Sequence, residues 1–225
     1  MADLRRGLGN FTTPAGRLVA PLYLNEPDGK FDDSPSKLKF KAGILLDGPE
    51  AAAFLAEVWE MWESWMATVK AANGKKPKVM KKNVQWFTPD TPRWDDIGES
   101  TAKTLDNLQE GEAIFKTSMK AVMTRRDGTE DSRTPKFFDA SANLLPDVPL
   151  IGYGTTARLN GSFYGWTNAG SANMSLLLHA VQIIDLREPG VSSGDAAEDY
   201  GFEATAGFVM ETETFPVAGD NGGDF

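Results

Sequence analysis

The side chains best placed to do chemistry stand on one parity of a strand-like run, TTARLNGSFYGW, residues 155–166. Arg158, Asn160, Ser162, Tyr164 and Trp166 alternate with Ala157, Leu159, Gly161 and Phe163. Successive side chains of a strand point to opposite faces. If Leu159 and Phe163 point inward, Tyr164 and Trp166 must point out. Two exposed rings two residues apart form a stacking platform, and each base stacked on such a ring contributes about 1–3 kcal/mol whatever its identity. A bulge that reversed the parity would instead send both rings into the core.

Phosphates need cations, and these recur nearby in the sequence. Lys37, Lys39 and Lys41 share the polar face of residues 37–46, KLKFKAGILL, opposite Leu38, Phe40, Ala42 and Ile44. Lys116 and Lys120 share a face of residues 113–123, AIFKTSMKAVM, with Ile114 and Ser118. The run KKPKVMKK puts Lys75, Lys76, Lys78, Lys81 and Lys82 within eight residues, just before Trp86 and Phe87. A lysine-rich loop alone is ordinarily solvated. Lysines interleaved with aromatic rings match what a single nucleic-acid strand requires. Trp86, Phe87, Lys81 and Lys82 therefore join the candidate residues for binding single-stranded nucleic acid, DNA or RNA.

Other chemistries lack their parts. The chain has no cysteine and one histidine, which leaves no thiolate ligand or nucleophile and nearly excludes a zinc site. His179 sits in the apolar run LLLHAVQII and reads as a core or interface residue. No Gly-x-x-x-x-Gly-Lys-Ser/Thr occurs, and GYGTTARLNG opens a strand rather than a helix. The acidic pairs Asp32-Asp33 and Asp95-Asp96 offer at most weak cation binding. No cofactor and no enzyme is expected.

The elements that must position these residues read mainly as β-structure. Residues 10–24 form a first extended segment. One helix is expected over residues 50–72, with Asp47 as N-cap, Pro49 near the first turn and Asn73-Gly74 as the stop. Phe54, Val58, Met61, Trp62, Trp65 and Val69 recur at helical spacing, with Trp59 and Met66 widening the stripe. Packing is the expected use of the three helix tryptophans; a stacking surface is the alternative. Residues 88–112 read as loop, 135–140 as a short strand, and 173–186 as a strand apolar enough to be central. The expected fold is a five-stranded Greek-key barrel of the OB type with the Trp-rich helix inserted.

Charge divides the chain in two. Residues 188–225 hold nine acids and no Lys or Arg, which is the whole excess of 32 acids over 23 bases. Residues 1–187 are a neutral body, and 188–225 an acidic tail expected to be flexible and to serve for solubility or interaction. Asp220, Asp224 and Phe225 at its tip are the candidate partner-binding residues. No segment reads as a secretory signal or a membrane span.

The stretch PDVPLIGYG...FYGWTNAGSANMSLLLHAVQIIDL, with an acidic tail ending GDF, resembles the single-stranded DNA-binding proteins of T-seven-like phages, the gene 2.5 protein type. The resemblance is clearest over residues 147–186 and 223–225. It implies an OB fold that binds single-stranded DNA non-specifically in phage replication, recombination and repair, within the cytoplasm of an infected bacterium. It implies that Tyr164 and Trp166 lie in the DNA groove with Lys37 or Lys39 and Lys116, and that the tail contacts the phage DNA polymerase and helicase-primase. A homodimer is compatible with it. The Trp-rich helix and residues 88–112 depart from the family pattern. The rival expectation is a protein–protein adaptor or structural phage protein that uses the helix and the tail.

Overall fold

A computed structural model describes residues 4–29, 34, 37–79, 85–91, 99–125, 127–168 and 171–189, with the backbone alone for 99–101. Lys81, Lys82, Asp220, Asp224 and Phe225 lie outside the described residues. The architecture is mainly β. In chain order the elements are β1 Arg5–Thr12, β2 Gly16–Asp28, β3 Lys39–Leu46, α1 Gly48–Asn73, β4 Lys78–Val79, β5 Trp86–Phe87, α2 Glu99–Asp106, β6 Ala113–Lys120, β7 Val122–Thr124, β8 Glu130–Ser132, β9 Lys136–Phe138, β10 Thr156–Asn168 and β11 Ser171–Asp185.

Five of the long strands pair in a ring. β10 pairs with β2, β2 with β3, and β3 with β6, all antiparallel. β6 then runs parallel to β11, and β11 returns antiparallel to β10. β11 is the central strand that its apolar sequence predicts. One edge carries β10, and the other carries β4, β6 and β9 in turn. The single first segment expected over 10–24 is two strands, because Pro14 to Gly16 interrupts it. β1 leaves the ring and pairs with the outer edge of β10.

Helix α1 has Asp47 at its N-cap position, without a capping bond from the side chain, and Gly74 at its C-cap. Asp47 is extended, with φ −134° and ψ 167°, and Pro occupies the first turn. Gly74 takes the left-handed φ of 69° and returns its N–H to the Lys70 carbonyl at 2.9 Å. Ala51, Phe54, Val58, Trp62, Trp65 and Val69 are its buried stripe. Each large apolar side chain so buried contributes about 1.5–3 kcal/mol. The stripe joins the main core with Leu18, Ile44, Phe115, Phe163 and Leu178.

Residues 88–112 are not all loop, as the sequence suggested. α2 lies within them, and its Leu105 joins Leu108, Phe87 and Ile114 in a smaller cluster. The prolines and glycines on either side mask a helix of only eight residues.

The β10–β11 hairpin keeps two faces distinct along its length. On β10, Ala157, Leu159, Gly161, Phe163, Gly165 and Thr167 point inward, and the alternation never slips. On β11 it does slip. Asn160 faces Ala180 and Gly161 faces Leu178, so His179 is an extra residue. Met174, Leu176 and Leu178 point inward before it, Val181 and Ile183 after it. His179 is consequently exposed rather than in the core, with its Nε2 3.2 Å from Ser162 Oγ.

Candidate nucleic-acid interface

The outward parity of β10 carries Tyr164 and Trp166, as the alternation requires, onto the outside of the ring. Opposite them on β11 stand Ser175 and Asn173. The Trp166 Nε1–H donates to Ser175 Oγ at 3.1 Å, which fixes the indole plane. Beneath the pair, Gly165 lets the Trp65 indole approach the strand; a Cβ at Gly165 would lie 2.5 Å from the ring. The two rings therefore stand on a strand backed by a buried tryptophan.

The ring order brings the lysines alongside. Lys39 on β3 faces Lys120 on β6, and Ser118 lies between β3 and β11, opposite Lys41 and Leu177. The result is a groove of about 480 Å³ lined by Arg5, Lys39, Ser118, Lys120, Tyr164, Trp166, Ser175 and Leu177. Among the described residues no carboxylate lines it. Burial, and then the like charges of Lys41, Lys120 and Lys37, hold the Lys39 ammonium below its ordinary pKa. A phosphate in the groove would relieve that repulsion. Lys41 itself is occupied in an ion pair with Asp28.

Six of the sequence candidates need relocation. Trp86 and Phe87 are buried on opposite faces of β5, which pairs with β6: Trp86 enters the main core and Phe87 the smaller cluster with Leu105 and Ile114. Trp86 packs edge-on against Trp62 and Trp59, with centroids 5.9 and 5.7 Å apart. Neither ring is free to stack on a base. Lys116 also stands outside the groove. Its Nζ lies 4.4 Å from the Phe87 ring centre, and burial lowers its pKa. Lys37 is exposed and flanks the groove without lining it. Arg158 and Asn160 share the outward face of β10 but line a second groove further along. Asn160 Nδ2 already donates to the Phe11 carbonyl and to Thr12 Oγ1.

The sequence reading missed Arg5, Ser175 and Leu177. Arg5 is brought in by β1, whose Arg5 faces Trp166. Ser175 and Leu177 were legible as the outward positions before the bulge, had its place been known. Of the helix tryptophans, Trp62 and Trp65 are buried and Trp59 is 46% exposed.

Comparison with solved structures decides the fold. The single-stranded DNA-binding protein gp2.5 of bacteriophage T7 superposes with a TM-score of 0.60 at 19% identity, over 93% of this chain and 100% of that one. The fold is that of the gp2.5 type of phage single-stranded DNA-binding protein. A single-stranded DNA-binding protein of bacteriophage Enc34, solved in complex with single-stranded DNA, gives 0.55 at 14% identity, over 82% of this chain and 94% of that one. The same Enc34 protein alone gives 0.52. No protein-family model and no curated protein matches the sequence. The gp2.5 type of fold therefore survives here at identities where sequence comparison finds nothing.

Proposed function

We infer that this chain binds single-stranded DNA without base-sequence preference. The observation that carries the reading is one groove in which Tyr164 and Trp166 stand beside Lys39 and Lys120, with no carboxylate among its described lining residues. Rings take bases and ammonium groups take phosphates, and neither contact reads sequence. The fold likeness to two phage proteins named for this activity supports it.

The order of the ring, β2, β3, β6, β11 and β10, with β6–β11 its one parallel junction, supports reading it as an OB barrel. In that fold the second and third strands and the loops after the first and fourth bind oligonucleotides. Lys39 and Lys120 lie on the second and third strands of this ring. Tyr164 and Trp166 lie near the end of β10, the fourth ring strand in chain order.

The acidic segment 188–225 is proposed as a phosphate mimic that competes with DNA and, when displaced, recruits replication proteins such as a phage polymerase or helicase-primase. Its nine acids and absent bases support that role. The setting proposed is phage replication, recombination and repair in the cytoplasm of the infected cell. Deletion of 188–225 is expected to tighten DNA binding at matched salt. The adaptor reading rests on Trp59 alone among the helix tryptophans.

The deciding experiment titrates the protein with single-stranded DNA, duplex DNA and RNA across a salt series. The same titration is run on Tyr164→Ala/Trp166→Ala. Loss of two stacked bases at about 1–3 kcal/mol each predicts a fall in affinity of at least tenfold. Unchanged affinity in a folded double variant sinks the stacking reading.

A further inference from the structure

The outward face of β10 continues beyond Tyr164 into a second groove, of about 800 Å³, that the reading above leaves without a task. Arg158 and Asn160 line it from β10, and Ala180 and Gln182 from β11. Its cations come from three separate places in the chain. Arg158 belongs to β10, Lys136 to β9, and Arg133 to the segment that leaves β8. β9 reaches the site by running parallel to β11, with Lys136 opposite Ala180. Phe138, two residues on from Lys136 and half-buried, adds a ring.

Charge is the telling property. Arg133, Lys136 and Arg158 are all exposed, and none makes an ion pair among the described residues. Among the described residues no Asp or Glu lines the groove. Elsewhere Arg17 is paired with Glu112, Lys41 with Asp28 and Arg125 with Asp131. Three cations and a ring around one cavity, with no acid among its described lining residues, present an anion site with an aromatic side. That is the same composition as the Tyr164–Trp166 groove.

The two grooves lie end to end. The Ser162–His179 contact at 3.2 Å is the ridge between them, and His179 lines the second. From Trp166 to Arg158 the strand advances eight residues, or about 26 Å at ~3.3 Å each. A strand stacked at duplex spacing of ~3.4 Å would lay down about eight nucleotides over that length, and fewer if extended. Eight falls within the range of about 4–16 nucleotides that single OB folds occupy.

The geometry points to a second phosphate-binding subsite, formed by Arg133, Lys136 and Arg158 with Phe138, that holds the continuation of the same single strand of DNA after it leaves the Tyr164–Trp166 groove. The inference rests on the single-stranded DNA reading and extends it to a surface outside the β3–β6 face. Chain length is its signature. A strand too short to pass the ridge uses one groove, and a longer one uses both.

The test is a salt series on Arg133→Glu/Lys136→Glu with oligothymidylates of 3 and 16 nucleotides. Both side chains are exposed, and unchanged circular dichroism and thermal unfolding will verify the fold. Arg133→Gln/Lys136→Gln is the milder companion. Losing two phosphate contacts makes the slope of log K against log salt shallower by about 1.4 for the 16-mer. Affinity for it drops on the order of tenfold in 0.1 M salt, the trimer is unaffected, and the glutamine variant moves the same way by less. A 16-mer that binds the wild type and both variants with one slope and one affinity overturns the second subsite and leaves the first standing. A wild type that binds neither oligonucleotide overturns both.

Discussion

The Trp65 indole lies against Gly165, so close that a Cβ added to the glycine would come within 2.5 Å of the ring. Gly165 separates Tyr164 from Trp166, so the helix core and the outward pair of rings meet at one residue. Trp65 is 1% exposed, and its Nε1 finds no hydrogen-bond partner among the described residues. The ring is used there for its shape.

Gly165→Ala is expected to overpack this contact. Inserting a methyl into a filled core costs about 1–3 kcal/mol. For a chain of this size that is a fall in Tm of roughly 2–12 °C, measured by circular dichroism. Single-stranded DNA affinity should weaken with it, because the strand that carries both rings must shift. An unchanged Tm would mean that Trp65 gives way freely.

Trp86→Ala separates the buried role of this ring from the DNA-contacting role that the sequence suggests. Deleting it opens a cavity beneath Trp59 and Trp62 and should cost about 3–5 kcal/mol. Urea unfolding should show that loss. The variant that remains folded at low temperature should keep the salt slope of the wild type.

Lys39 offers a proton-linked readout. Burial and its lysine neighbours hold its pKa below the ordinary 10.5. A bound phosphate raises it again. Binding therefore takes up protons in the alkaline range below 10.5, and affinity falls as pH rises through the pKa of Lys39. Calorimetry in two buffers of different ionisation enthalpy measures the uptake. Lys120→Gln removes one like charge, brings Lys39 nearer its ordinary value and should shrink the uptake.

His179 behaves in the opposite pH range. Burial first, and then the charge of Arg133, hold its pKa below 6.5. The unfolded chain binds the proton more readily, so stability is lost as pH falls through 6.5. Because the ring is exposed, the expected fall in Tm is small. Thermal unfolding between pH 7.5 and 5.5 should show a shallower pH dependence in His179→Gln than in the wild type.

The outward placement of Tyr164 and Trp166 was legible because β10 alternates without a slip over thirteen residues. A periodicity-two pattern can be read from sequence alone when nothing interrupts it. β11 was legible as central, but its faces were not. One inserted residue changes the inward parity from even to odd numbers, and no residue type announces it. The burial of Trp86 and Phe87 was illegible for another reason. Their neighbours in sequence are lysines, while their neighbours in space are α1 and β6. Arg133 and Lys136 went unnoticed because only the parallel pairing of β9 with β11 brings them to Arg158.

The extra residue at His179 also bears on what a ligand must do. A bulge increases the local twist and bends the strand that carries it. The sheet therefore changes direction at the ridge between the two grooves. A polynucleotide laid along this face would have to corner there, breaking its column of bases into two short stacks. If single-stranded DNA runs through both grooves, strands that lose least by unstacking would turn this corner at the lowest cost, a small bias of chain flexibility laid over contacts that read no bases.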